Sequence, residues 1–271
     1  MEERIEIITI GKEILIGRTQ DTNSHWLCRR IIALGGFVKR VIIVDDEIKE
    51  IVEALNIAFK DKSRVIITTG GLGPTSDDKT LEAVAKFASC KLTINQEALE
   101  FVKSRYKYFY EKGYVSYPEI TPEREKMAIL PEGSKLLSNP VGAAPGVALK
   151  HKGCWIFSIP GVPKEMKAIF ENSIINMLKD IIGKKFFLEK TIKSGIEDES
   201  KLAPLLKILA KEFPAIYIKS HPLHFAHKVD IELSFSSSGD EKEEVKRRID
   251  NSINRFKELI EGKHQNHDGG R

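Results

Sequence analysis

The stretch Thr-Thr-Gly-Gly-Leu-Gly-Pro-Thr-Ser-Asp-Asp-Lys-Thr, from Thr68 to Thr80, closes an apolar run. It sets three glycines, the hydroxyls of Thr75 and Ser76, and two adjacent carboxylates, Asp77 and Asp78, in one loop. Glycines let the backbone come close to a ligand, and successive N–H groups can then face an anion. A helix predicted to begin near Asp77 adds free N–H groups and its dipole. Carboxylates beside a phosphate repel it unless a divalent cation lies between, and Mg²⁺ commonly takes one or two carboxylates together with phosphate oxygens. The loop therefore reads as a metal–phosphate site rather than a bare anion hole.

The competing explanation is helix capping, because Asp is a good N-cap. Two features favour chemistry. Three glycines exceed what a turn requires. Asp45 and Asp46 also end a neighbouring apolar run, where a cap would again account for only one of the pair. The loop is not a P-loop, since no Gly-Lys-Ser/Thr follows the glycines, and it is not GxGxxG.

Three further motifs are candidates: GKEILIG (Gly11 to Gly17) with Asp21-Thr22-Asn23, NPVGAAPG with Asn139, Gly142 and Pro145, and PGVPKEM from Pro160. Taken singly, each reads as turn punctuation. The HPLHFAH segment brings His221, His224 and His227 together, but Pro222 breaks any helix there and no carboxylate or cysteine joins them. A metal role for these histidines is not expected.

The elements that position these loops follow from periodicity. Ile5–Ile10, Phe37–Val44 and Arg64–Thr69 are short apolar runs that read as buried strands. Between and after them lie helical patterns: Trp26, Leu27, Ile31 and Leu34; then Ile48, Ile51, Val52, Leu55 and Phe59; then a third following Asp77. Strand and helix alternate three times in the first 90 residues, which implies right-handed crossovers and a parallel sheet. Ligands bind at the carboxyl ends of such strands. Gly11, Asp45-Asp46 and Gly70-Gly71 all fall there. An aromatic-rich helix from about Asn95, two more strand-like runs and a helix from Pro163 to about Ile182 follow. Past Gly183 the order changes to β-α-β-β-α, which suggests a small α+β domain. The expected division is 1–182, 183–261 and a disordered tail at 262–271.

Composition narrows the class. The chain has 271 residues, 41% apolar and 30% charged, as for an ordinary globular protein. No segment reaches the length of a membrane span. The acidic start lacks a signal-peptide pattern, so a cytoplasmic location and no membrane partner are expected. With 43 bases against 39 acids, the net charge of +4 carries no basic stripe. Nucleic acid is not an expected partner. Cys28, Cys90 and Cys154 are scattered, which argues against a disulfide framework or zinc site and for small buried hydrophobes.

The combination GKEILIGRTQDTNSHWL, VDD, TTGGLGPTSDDKT, NPVGAAPG and IPGVPKEM resembles the CinA family (competence/damage-inducible proteins) in order and spacing, over roughly residues 4 to 180. The resemblance implies a three-layer α/β molybdopterin-binding-like fold with a mostly parallel sheet, followed by the small α+β domain. It implies an enzyme: a pyrophosphatase dependent on a divalent metal (Mg, Mn or Co) that splits ADP-ribose into AMP and ribose 5-phosphate. Gly70, Gly71, Gly73, Pro74 and Thr75 would line the phosphates. Asp45, Asp46, Asp77 and Asp78 would hold metal or position water, with Asp77 or Asp78 as general base. Glu13, Asp21, Thr22 and Asn23 would contact the nucleotide end or shape the pocket, and Asn139, Gly142 and Pro145 would complete its wall. A homodimer is implied. The long form of the family carries a further deamidase domain, which is not expected here. Two alternatives stay open on the same fold: adenylyl transfer to molybdopterin, and a non-catalytic pterin- or nucleotide-binding module.

Overall fold

Isoleucine dominates the first strand because that strand is buried on both faces. The computed structural model describes residues 4–183, 185–222 and 231–268. The chain packs as two compact units, residues 1–32 with 36–183, and residues 33–35 with 184–271.

In the first unit, β1 (Arg4–Ile10), a single turn α1 (Lys12–Leu15), α2 (Thr22–Ala33), β2 (Phe37–Val44), α3 (Ile48–Lys60), β3 (Val65–Thr69) and α4 (Thr80–Ala88) follow one another. Next come β4 (Leu92–Ile94), α5 (Gln96–Glu111), α6 (Pro122–Lys126) and β5 (Ile129–Pro131). The unit closes with β6 (Lys135–Leu137), β7 (Gly146–His151), β8 (Cys154–Ile159), α7 (Pro163–Ile169), a π-helical turn (Phe170–Ile174) and α8 (Ile175–Ile182).

The main sheet has the order β2-β1-β3-β8-β7-β6. Its first four strands are parallel; β7 runs antiparallel to β8, and the edge strand β6 runs antiparallel to β7. Ile8 and Ile10 of β1 and Ile66 of β3 pack under Ile51, Ala54, Leu55 and Ala58 of α3 and Ala83 and Val84 of α4. Alternation sends Ile5, Ile7, Ile67, Phe157 and Ile159 to the opposite face, where they are equally buried. Asn23 of α2 reaches Thr69 on that face, and Trp26 meets Phe170 edge-on at 5.4 Å. Each fully buried isoleucine contributes about 1.5–3 kcal/mol. Edge strand β2 behaves differently, with Phe37, Val41 and Ile43 exposed.

This topology decides where the loops go. The registers Thr9↔Thr69 and Thr69↔Ile159 align the carboxyl ends of β1, β3 and β8, and Ile10↔Val44 aligns that of β2. Antiparallel β7 starts at the same edge, because Val147 pairs with Ser158. Five connecting loops therefore meet at one rim.

The second unit contains β9 (Phe186–Lys193), α9 (Glu199–Glu212), β10 (Tyr217–Pro222), β11 (Ile231–Gly239) and α10 (Lys242–Asp268). Its antiparallel sheet has the order β10-β11-β9. Leu202, Leu205 and Leu209 of α9 and Ile249 and Phe256 of α10 pack against Leu233 and Phe235. Asp198 caps α9 by accepting from the Ser200 N–H at 2.8 Å.

Three expectations need correction. The helix expected from near Asp77 begins at Thr80, with Lys79 at its cap position, so neither aspartate caps it. The closing helix runs to Asp268, through most of the stretch expected to be a disordered tail. Of the three free cysteines only Cys154 is buried, while Cys28 and Cys90 are partly exposed. His224 and His227 lie outside the described residues. Among the described residues no helix is long and apolar enough to cross a membrane.

Candidate active site

The glycine loop is shaped by contacts that a side chain would break. Gly70 has φ +110°, and a Cβ there would stand 2.2 Å from the Ile10 carbonyl oxygen. Its N–H donates to the Ile159 carbonyl at 3.0 Å, and its own carbonyl accepts from the Thr80 hydroxyl at 2.7 Å. The end of β3 is thereby tied to β8 and to the start of α4. The Thr80 N–H also donates to the Gly71 carbonyl, so the chain between them bulges as a closed loop. Among the described residues, the N–H groups of Gly71, Leu72 and Gly73 have no hydrogen-bond partner.

Asp78 closes the loop on itself rather than starting the helix. Its carboxylate accepts from the Thr75 N–H at 2.9 Å and from the Thr75 hydroxyl at 2.5 Å. Lys126 of α6 donates to the Thr75 and Asp78 carbonyls and pins the loop from outside. The neighbouring Thr75 hydroxyl, helped by the Asp77 N–H and by the charges of Lys126 and Lys79, holds the exposed Asp77 carboxyl below the usual range. Asp46, at the end of β2, accepts from the Lys12 N–H at 2.8 Å. Asp45 accepts from the Asp46 N–H and pairs with the Lys12 ammonium at 3.6 Å.

Together these loops line a cleft of about 540 Å³. Glu13, Asp46, Asp77 and Asp78 give it carboxylates, and Gly70, Gly71, Gly73 and Pro74 give it backbone. Leu72, Met127, Ala143 and Ala144, with Tyr106 against them, form an apolar wall. Glu165 at the start of α7 also lines it. Burial pushes the Glu165 carboxyl up, partly offset by a hydrogen bond from Asn139 and by the charge of Arg105.

The remaining predicted residues support the cleft from behind. Asp21 starts α2 by accepting from the Ser24 N–H, and it also accepts from the Thr9 hydroxyl. Thr22 is the first residue of that helix. Asn23 donates to the Thr69 hydroxyl and to the Gly161 carbonyl, joining the ends of β3 and β8. Asn139 is fully buried; it donates to Ala144 and Glu165 and accepts from Val141 and Gly142. Asp45, Thr75, Asn139, Gly142 and Pro145 are not among the lining residues, and Ala143 and Ala144 stand in their place as wall. Sequence reasoning missed Tyr106, Lys126 and Glu165, although Glu165 lies inside the quoted PGVPKEM motif.

Among the described residues no group of three or more His, Cys, Asp or Glu forms a preformed metal centre. The donor set fits a cation that arrives with a diphosphate, since Mg²⁺ often takes only one or two protein carboxylates. A second cleft of about 520 Å³ opens at the opposite edge of the sheet between Lys62, Lys150, Lys152 and Trp155. Its Cys154 thiol is pushed up to about 12 by burial, and no acid lines it, so it holds no catalytic set.

Residues 6–180 match the family described as a probable molybdopterin binding domain. A crystal structure described as the protein CinA with unknown function, from Thermoplasma acidophilum, is 37% identical with a TM-score of 0.58. It covers 67% of this chain and 100% of its own. A protein from Sulfurisphaera tokodaii is 42% identical over 255 residues, 94% of each chain, and one from Pyrobaculum arsenaticum is 42% identical over 240 residues, 88% of this chain and 87% of that one. The chain belongs to the molybdopterin-binding domain family, and within that family to the CinA type.

Proposed function

We propose that the protein hydrolyses a nucleotide diphosphate, splitting ADP-ribose into AMP and ribose 5-phosphate with a divalent metal, Mg, Mn or Co. The observation that carries this reading is the row of unpartnered N–H groups at Gly71, Leu72 and Gly73, set beside Asp46, Asp77 and Asp78 in one cleft. Buried or half-buried N–H groups seek partners, and phosphate oxygens supply them.

The glycine loop binds and orients the diphosphate. Asp46 and Asp77 would hold the metal, which when bound neutralises phosphate charge and acidifies a water. Water oxygen forms the new P–O bond as the bridging P–O bond breaks. Asp78 or Asp77 takes the water's proton, and the departing phosphate oxygen leaves as the anion. The Thr75 contacts fix the Asp78 carboxylate for this role.

The test is incubation with ADP-ribose, FAD, NAD and ATP, with Mg²⁺, Mn²⁺ or Co²⁺ and with chelator, followed by chromatography. Metal-dependent release of AMP and ribose 5-phosphate is expected. No product from any substrate would overturn the reading. The family description supports a second one, adenylyl transfer to a pterin, whose product is an adenylate and not free AMP.

A further inference from the structure

Tyr106 lines the cleft, and a buried cation sits over its ring. The Arg124 guanidinium lies 3.9 Å from the Tyr106 ring centroid and 4.5 Å from that of Tyr117. Arg124 is itself buried and donates to the Tyr117 carbonyl at 2.9 Å and the Glu119 carbonyl at 2.7 Å. The cation is therefore fixed and presses on the ring from behind. Phe109 meets the ring edge-on at 6.0 Å. Tyr106 is half-buried, packs against the cluster of Leu72, Met127 and Ala144, and lines the cleft beside them. Its neighbours there, Leu72, Met127, Ala143 and Ala144, carry no hydrogen-bonding side chain. A wall with one rigid aromatic face and apolar flanks suits a flat ring and offers a phosphate nothing.

We infer that Tyr106 is a stacking platform for the planar heteroaromatic ring of the ligand, held against the apolar wall while the phosphates occupy the glycine loop. This deepens the proposed function and rests on its placing of the phosphates. Stacking is tolerant of ring identity because every base presents a π face. The site therefore selects a ring attached to phosphates over phosphates alone, and discriminates weakly between adenine, guanine and a pterin. The resulting substrate class is ring-bearing diphosphates, with the ring chosen by shape.

Calorimetric titration tests this with α,β-methylene ADP, which cannot be hydrolysed, and with methylenediphosphonate, which has no ring. Both are titrated with Mg²⁺ into the wild type, Tyr106→Leu and Tyr106→Phe. Leu keeps apolar volume behind Arg124 and removes the ring; Phe keeps the ring. The expected result is a loss of roughly 10-fold or more in Tyr106→Leu for the nucleotide only, with Tyr106→Phe close to wild type. Unchanged nucleotide binding in Tyr106→Leu overturns the inference, and so does equal weakening of both ligands, which marks a structural role. A wild type that binds the nucleotide no better than methylenediphosphonate overturns it too. Tyr106-dependent binding in a protein that hydrolyses none of the substrates leaves the platform standing and removes the hydrolase reading alone.

Discussion

The Asn139 amide donates to Glu165 Oε2 at 2.6 Å while its own oxygen accepts the N–H groups of Val141 and Gly142 at 3.0 and 2.8 Å. One buried side chain thus fastens the loop before β7 to the first turn of α7. Replacing it with alanine strips partners from two N–H groups, the Ala144 carbonyl and a carboxylate. Buried polar groups left unpaired cost about 1–3 kcal/mol each before relaxation. Asn139→Ala is expected to lose about 2–3 kcal/mol in urea unfolding. A loss below about 0.5 kcal/mol would show that the loop does not depend on this residue.

Glu165 itself should make stability depend on pH. Its folded carboxyl is raised, chiefly by burial. A raised group favours the folded state most when protonated, below the ordinary carboxylate range, and that contribution is lost as pH rises through the folded value. Glu165→Gln removes the titration and keeps an oxygen to accept from Asn139. The melting temperature of the variant should gain on the wild type as pH increases from acidic to neutral. A constant difference across that range would remove Glu165 as the source.

Asp77 and Asp78 should separate folding from turnover. Both sit in a loop that no helix cap requires, and Asp77 is exposed. Asp77→Asn and Asp78→Asn are each expected to lower ADP-ribose turnover about 100-fold or more with the circular dichroism melt little changed. Full activity in both would sink the assigned chemistry.

Gly70 leaves no room for any side chain. Its φ of +110° and the 2.2 Å approach to the Ile10 oxygen make alanine strained twice over. Gly70→Ala should destabilise by about 2 kcal/mol or more and weaken phosphate binding with it, measured by thermal melts with and without α,β-methylene ADP. An unperturbed melt would mean that the loop can be rebuilt at no cost.

Much of this arrangement was legible in the sequence because its causes are local. The isoleucine-rich run of β1 marks a strand with neighbours on both sides, and glycines after β3 mark a backbone pressed against something. The start of α4 is expected near Asp77 and lies at Thr80, because only the tertiary structure shows Asp78 spent on Thr75. The ribbon of β4 and β5 is three residues a side, too short for a period. Tyr106 is hidden among Tyr108, Phe109 and Tyr110, and only the packing shows which of them lines the cleft. Glu165 stood inside a recognised motif, yet its burial follows from a loop 26 residues away.

Arg105 grips that same loop in a different way. It donates to the Val141 oxygen at 2.6 Å and to the Gly142 oxygen at 2.8 Å, with its guanidinium over the rings of Tyr108 and Phe109. Both acceptors are main-chain atoms, which every amino acid carries. Val141 is 44% exposed, so its side chain can be replaced without loosening the grip. Adjacent Ala143 and Ala144 face the cleft from the same anchored segment. Side chains at the rim of the cleft can therefore be exchanged while the main-chain clamp that holds the segment stays, and a new ligand preference need not cost the scaffold its shape.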